Sequence, residues 1–223
     1  MRTIKVFFGG YGSGKTELSI NTALNNLPRP TALADIDIVN PFFRSSERRA
    51  LLEEQGVKVI APMYALTNID SPVLPPALRG LLMDKTTDAV IDAGGDPVGA
   101  AALGGYHEYL DGKAEMLFVI NTMRPLTSTY DDIMYMLSAV QSRARVEATG
   151  LINNTNLATH TTARMLLKGR EVIEKVSAKS GVPIKFVSGT KAILDEYKAL
   201  GEPEAPLMPI NIYMRPEWLD STE

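Results

Sequence analysis

Eight residues close to the amino end, Gly9-Gly10-Tyr11-Gly12-Ser13-Gly14-Lys15-Thr16, carry the spacing G-x-x-x-x-G-K-T. Glycine at four of these positions lets successive backbone N–H groups turn toward one anion. A helix that starts at such a loop aims its positive end at the same point. Lys15 adds a compact cation suited to β- and γ-phosphates, and Thr16 a hydroxyl suited to Mg²⁺. Gly10, Tyr11, Gly12, Ser13, Gly14, Lys15, Thr16 and Glu17 are therefore read as nucleotide-binding, with Lys15 also catalytic. A dinucleotide-binding turn would need G-x-G-x-x-G, and Gly10-x-Gly12-x-Gly14 lacks that spacing.

A triphosphate with magnesium also needs carboxylates, and two segments offer them at the ends of apolar runs. One is Asp35-Ile36-Asp37-Ile38-Val39-Asn40-Pro41, the other Asp92-Ala93-Gly94-Gly95-Asp96. Asp92 follows Ala-Val-Ile and stands where a carboxylate holds Mg²⁺, directly or through water. Asp92-x-x-Gly95 has the form of a switch in which the Gly95 N–H senses the terminal phosphate. In an extended segment Asp35 and Asp37 point the same way, and such a like-charged pair is costly without a cation. The reading places Asp35 in the metal shell with Thr16 and Asp92, and Asp37 on the attacking water. The reverse assignment of Asp35 and Asp37 stays open, and plain turn solvation is the alternative for the pair.

The elements that must position these groups alternate along the chain. Strand signals fall at 4–8, 31–35, 57–60, 89–92, 116–120, 149–153 and 184–187. Helical signals fall at 14–27, 44–55, 77–83, 129–140, 161–179 and 191–200. Thr129 and Asp132 have capping-box spacing ahead of an apolar stripe of Ile133, Met136, Leu137 and Val140. Strands separated by helices imply an α/β fold with a mostly parallel central sheet. Residues 1–200 read as one domain. In 201–223, Pro203, Pro206, Pro209 and Pro216 make a regular element unexpected, yet Leu207, Met208, Ile210, Ile212, Tyr213, Met214 and Trp218 predict a tail packed on the domain or on a partner.

Composition narrows the function. The chain has 223 residues, no cysteine and two histidines, His107 and His160. That excludes disulfide scaffolds, Cys-zinc and iron–sulfur sites and thiol nucleophiles. The net charge of −3 argues against a dedicated nucleic-acid binder. The longest amino-terminal apolar run, Val6 to Phe8, is too short for a signal peptide, so the expected location is the cytoplasm.

The order of loop, D-x-D segment and Asp92 switch resembles the P-loop class that includes the ParA/MinD-like partitioning ATPases, the arsenite-pump and tail-anchored-protein targeting ATPases, and dethiobiotin synthetase. The runs GSGKTELSINTAL, DIDIVNPFFRSSE, DAGGDPVGA, VINTMRP, LINNTNL and PIKFVSG are similar to a bacterial family of ATP-binding, MinD/ParA/CobQ-like (SIMIBI-class) proteins. The resemblance implies a three-layer P-loop NTPase fold with ATP and Mg²⁺, and a nucleotide-controlled switch that hydrolyses ATP. It also implies a homodimer and, through gene neighbourhood, a protein partner among 2-oxoacid:ferredoxin oxidoreductases. It makes Asn153-Asn154-Thr155-Asn156 the base-edge site, with Asn153 or Asn154 on adenine and Ser188 in the opposite wall. The absence of Asp from that run favours ATP over GTP. One departure is Gly10, where the partitioning ATPases carry a second lysine that crosses their dimer. No carboxy-terminal basic amphipathic helix suggests membrane attachment. Arg44 and Arg124 are candidate arginine fingers. The alternatives are an ATP-dependent small-molecule kinase or ligase, and a non-catalytic nucleotide-sensing adaptor.

Overall fold

The first strand, β1 (Ile4–Phe8), sends Ile4, Val6 and Phe8 into one apolar cluster and Phe7 into another. Period-two alternation thus gives one strand two buried faces, as a central strand of a parallel sheet requires. The structure is a computed structural model and describes residues 2–37, 45–61, 76–95 and 97–214, the side chains of 46, 97 and 98 excepted. Asn40, Pro41, Arg44, Asp96, Pro216, Trp218 and most of the proline-rich stretch 61–76 lie outside the described residues.

The other strands are β2 (Thr31–Asp35), β3 (Val57–Ile60), β4 (Asp88–Asp92), β5 (Glu115–Ile120), β6 (Gly150–Asn153), β7 (Ile184–Gly189) and β8 (Leu207–Pro209). They form one sheet in the order β3-β2-β4-β1-β5-β6-β7-β8, and every pairing is parallel. The mostly parallel sheet expected from the sequence is wholly parallel among the described strands.

Helices cover both faces, giving three layers. On one face, α1 (Lys15–Asn25) and α2 (Arg49–Glu54) bury Leu18, Ile20, Ala23 and Leu52 against Phe7, Leu33, Val90 and Leu117. On the other lie α3 (Pro76–Met83), α4 (Pro97–Gly104), α5 (His107–Leu110), α6 (Tyr130–Ala144) and α7 (Ala163–Ser180). The last helix, α8 (Lys191–Ala199), joins α7 in a third cluster with Val187 and Leu207. The capping box at α6 forms in both directions: Asp132 N–H donates to Thr129 Oγ1 at 3.2 Å, and Thr129 N–H to Asp132 Oδ2 at 3.2 Å. Its stripe of Ile133, Met136, Leu137 and Val140 is buried.

Besides the short helix α5, which no helical signal marked, three elements differ from the sequence expectation. The helix expected over 44–55 opens with a 3₁₀ turn at Ser45–Arg48 before α2. The small-residue run PVGAAALG, which shows no apolar stripe, is helix α4, where Gly104 lies so close to α6 that a Cβ would stand 2.8 Å from the Arg143 carbonyl. The tail, expected to lack regular structure, supplies β8. It pairs at the sheet edge, where proline is tolerated because its missing donor can face away. Val187 N–H reaches the Pro206 carbonyl at 3.0 Å and Ile210 N–H the Gly189 carbonyl at 2.9 Å. Among the described residues no helix is long and apolar enough to cross a membrane.

Candidate functional site

The sheet order puts β1 between β4 and β5, so the loop after Phe8 emerges with two different sets of strand ends around it. Parallel α/β sheets bind ligands at this carboxyl edge. The ends of β2 and β4 bring Asp35 and Asp92; the ends of β5, β6 and β7 bring Asn121, Asn153 and Ser188.

The loop is shaped as an anion cradle. Gly14 caps α1 at φ 90°, in the left-handed region. A Cβ there would also collide with the Asn154 side-chain nitrogen, so glycine is required twice over. Lys15 is buried at 7% exposure, and its Nζ donates to the Gly10 carbonyl at 3.2 Å. Ser13 is fully buried, and its Oγ has no hydrogen-bond partner among the described residues. Gly95 closes the cradle: a Cβ on it would stand 2.9 Å from Lys15 Nζ and 3.1 Å from the Tyr11 backbone nitrogen. Tyr11 itself is exposed.

On the acidic side, Asp35 and Asp92 are register partners on neighbouring strands and both are buried. Asp35 Oδ1 accepts the Asp37 N–H at 3.1 Å. Asp37 is half-buried, and its Oδ1 stands 3.4 Å from where a Gly94 Cβ would be. The Asp92 carboxyl is pushed up to about 8, first by burial and then by the neighbouring Asp35 charge. Lys15 and a hydrogen bond from the Thr16 side chain pull it down, and Asp37 pushes it up further. Three carboxylates, one ammonium and one hydroxyl thus meet at the foot of the loop. Such a cluster favours a bound cation, which relieves the mutual repulsion. Among the described residues no group of three or more His, Cys, Asp or Glu side chains could by itself hold a metal ion. Magnesium in phosphate sites needs only one or two protein oxygens, because phosphate and water supply the rest.

On the amide side the side chains brace the protein itself. Asn154 Nδ2 donates to the Ser13 carbonyl at 2.6 Å, and its Oδ1 accepts from Ser188 Oγ at 2.9 Å. Asn154 therefore ties β7 to the loop. Asn153 is fully buried; its Nδ2 donates to the Leu166 carbonyl at 3.2 Å and to Glu204 Oε1 at 3.1 Å. The other Glu204 oxygen accepts from the Tyr197 hydroxyl. That leaves no Asn153 amide hydrogen facing a ligand. Asn156 Nδ2 donates to the Asn154 carbonyl at 2.7 Å, a local turn contact.

Glu17, grouped by sequence with the nucleotide contacts, points elsewhere. Its carboxylate accepts the N–H groups of Tyr213 at 2.9 Å and Met214 at 2.6 Å. One turn on, Asn21 donates to the Asn211 carbonyl and accepts its N–H, both at 2.8 Å. The first turns of α1 therefore clasp the tail.

The segment after β5 carries two loop contacts that motif reading missed or left open. Asn121 Nδ2 donates to the Gly12 carbonyl at 3.3 Å, and Arg124 Nε to the same oxygen at 3.2 Å. Asn121 lies in the run VINTMRP, which assigns it no role; the strand order is what brings it to the loop. Arg124, one of the two candidate fingers, stands beside the loop with its Nε on the loop backbone. Gly10 is buried with Thr127 Cγ2 3.3 Å from a would-be Cβ, so a lysine there would have to displace Thr127. His107 Nδ1 lies 3.0 Å from the Gly104 carbonyl in a local turn, and His160 is exposed; neither contributes to the site.

No protein-family model matches the chain, and no curated protein matches it. Among solved structures it is similar to the cell division protein FtsY from Thermotoga maritima, with a TM-score of 0.55 and 19% sequence identity. The likeness covers 84% of this chain and 62% of that one, so this chain spans less than two thirds of its neighbour's length. At that identity the likeness speaks for the fold: an α/β architecture of the P-loop NTPase type.

Proposed function

We propose that the chain is a magnesium-dependent ATP-binding protein that hydrolyses ATP and works as a nucleotide-controlled switch. The observation that carries the reading is the meeting of Lys15, Thr16, Asp35, Asp37, Asp92 and Gly95 around one glycine-lined cradle. The loop N–H groups and the orphaned Ser13 hydroxyl suit the phosphates, and the Lys15 ammonium neutralises the β and γ groups. Thr16, Asp92 and Asp35 are the residues that would hold Mg²⁺, which when bound polarises the terminal phosphate. Asp37, less buried than the other two carboxylates, is read as the group that orients water. Gly95, against Lys15 and Tyr11, is read as the residue whose N–H senses a terminal phosphate.

Adenine is favoured because Asn153-Asn154-Thr155-Asn156 carries no carboxylate to pair with a guanine edge. Arg124 is read as an additional cation at the mouth, acting within one chain. The exposed apolar side chains Tyr11, Met123 and Leu126 support a partner-facing rim, whether the partner is a second copy or another protein.

The test is phosphate release from Mg-ATP by the purified chain, alone and with a metabolite panel. Release without metabolite supports the switch. Release that requires one metabolite would instead make the chain a kinase or ligase, and none under any condition an adaptor.

A further inference from the structure

At the end of α1 opposite the loop, a cavity of about 190 Å³ opens between the helix and the sheet. Its floor is apolar: Phe7, Leu117, Phe186 and Met208, from β1, β5, β7 and β8. Its polar lining is Lys5, Thr22, Asn26 and, at the exposed rim, Asn25. Thr22 and Asn26 are four residues apart, so they share one helix face. Thr22 is 5% exposed, and neither its Oγ1 nor the buried Asn26 Nδ2 has a hydrogen-bond partner among the described residues. A helical threonine ordinarily settles its hydroxyl on a carbonyl of the preceding turn; this one does not. Buried polar atoms left unpaired are costly, and a ligand or ordered water accounts for them. Lys5 is half-buried at the same place. Its register partner on β5 is the acidic Glu115.

We propose that this cavity is a second ligand site, for a small apolar molecule bearing one carboxylate. Lys5 Nζ, Asn26 Nδ2 and Thr22 Oγ1 are three donors, which suits the two oxygens of a carboxylate and repels a cationic head. The floor suits a ring or branched chain, since an apolar cavity of about 150 Å³ already admits benzene. An occupant would tie the carboxyl end of α1 to β7 and β8, so that the helix carrying the phosphate loop is loaded from both ends. The inference does not depend on the nucleotide reading.

The probe is phenylacetate, followed by ligand-observed NMR and chemical-shift changes on the full chain, with phenylacetamide as the uncharged comparison. The expected result is a Kd on the order of 1 mM for phenylacetate, as a ten-atom ligand warrants. Phenylacetamide should bind at least about tenfold more weakly. Lys5→Met and the isosteric Thr22→Val should each weaken phenylacetate by about tenfold, with an unchanged circular dichroism spectrum. No binding to the unmodified chain, equal binding of acid and amide, or variants that bind like the parent would each overturn the proposal. ATP titration of the same samples keeps this outcome separate from the fate of the phosphate site.

Discussion

The two flanks of the phosphate loop are built from different chemistry. Toward β4 and β2 stand Asp92, Asp35 and Asp37, where burial first and the neighbouring carboxylates second push the Asp92 carboxyl upward. Toward β5, β6 and β7 stand Asn121, Asn154 and Ser188, which spend their hydrogen bonds on the loop backbone and on each other. On the acidic flank the protein leaves carboxylates crowded against one another. The amide flank is satisfied by the protein itself. A change on the first should therefore touch chemistry, and a change on the second should touch the shape or stability of the loop.

The largest effect is expected on the acidic flank. Asp37→Asn should retain ATP affinity while slowing phosphate release by about a hundredfold or more, as loss of a base does. Single-turnover kinetics checks this, and the same loss in Asp35→Asn with a normal Asp37→Asn would exchange their roles. Next comes Asn154→Ala, which releases the Ser13 carbonyl and Ser188. It should weaken ATP and ADP alike by about tenfold, the mark of a loop brace rather than a transition-state contact. Calorimetry on both nucleotides decides it, because a loss confined to one base type would make Asn154 a base reader. Asn153→Ala removes one of the hydrogen bonds on the buried Glu204 carboxylate and should cost about 1–3 kcal/mol of stability in urea titration. Its ATP affinity should stay within about twofold, and a larger change would blur the distinction between the flanks.

The smallest effect concerns Glu17. Burial raises its carboxyl above the usual glutamate range, against the lowering bonds from Tyr213 and Met214 and the Arg48 charge. The folded chain thus holds this proton more tightly than the unfolded chain does. Stability from this group is complete below the ordinary glutamate pKa and declines as pH rises through the raised value. Glu17→Gln keeps an acceptor for the tail and should remove that part of the decline, seen by denaturant titration between about pH 4 and pH 7. An unchanged slope would mean that the clasp is not titrating.

The same contrast explains what could be read from residues alone. The cradle was legible because backbone conformation restricts residue type: only glycine suits φ 90° at position 14 against Asn154. Asp35 and Asp92 were legible because each ends an apolar strand, and the sheet makes them register partners. Asn153 and Asn154 were not separable, because an amide can donate or accept in many settings and neighbours on a strand face opposite ways. The strand alternation sends one to Glu204 and the other to Ser13. Helix α4 escaped because alanine and glycine leave no apolar stripe to follow. Strand β8 escaped because its prolines argue against strand everywhere except at an edge, and position in a sheet is not written locally.

The central claim is that the cradle around Lys15 grips a triphosphate. Isothermal titration of ATP in the presence of magnesium, on the unmodified chain and on Lys15→Ala, tests it most directly. The account predicts binding with a Kd on the order of micromolar that Lys15→Ala weakens by at least about a hundredfold without loss of helical signal. Equal ATP affinity in the two proteins would contradict it.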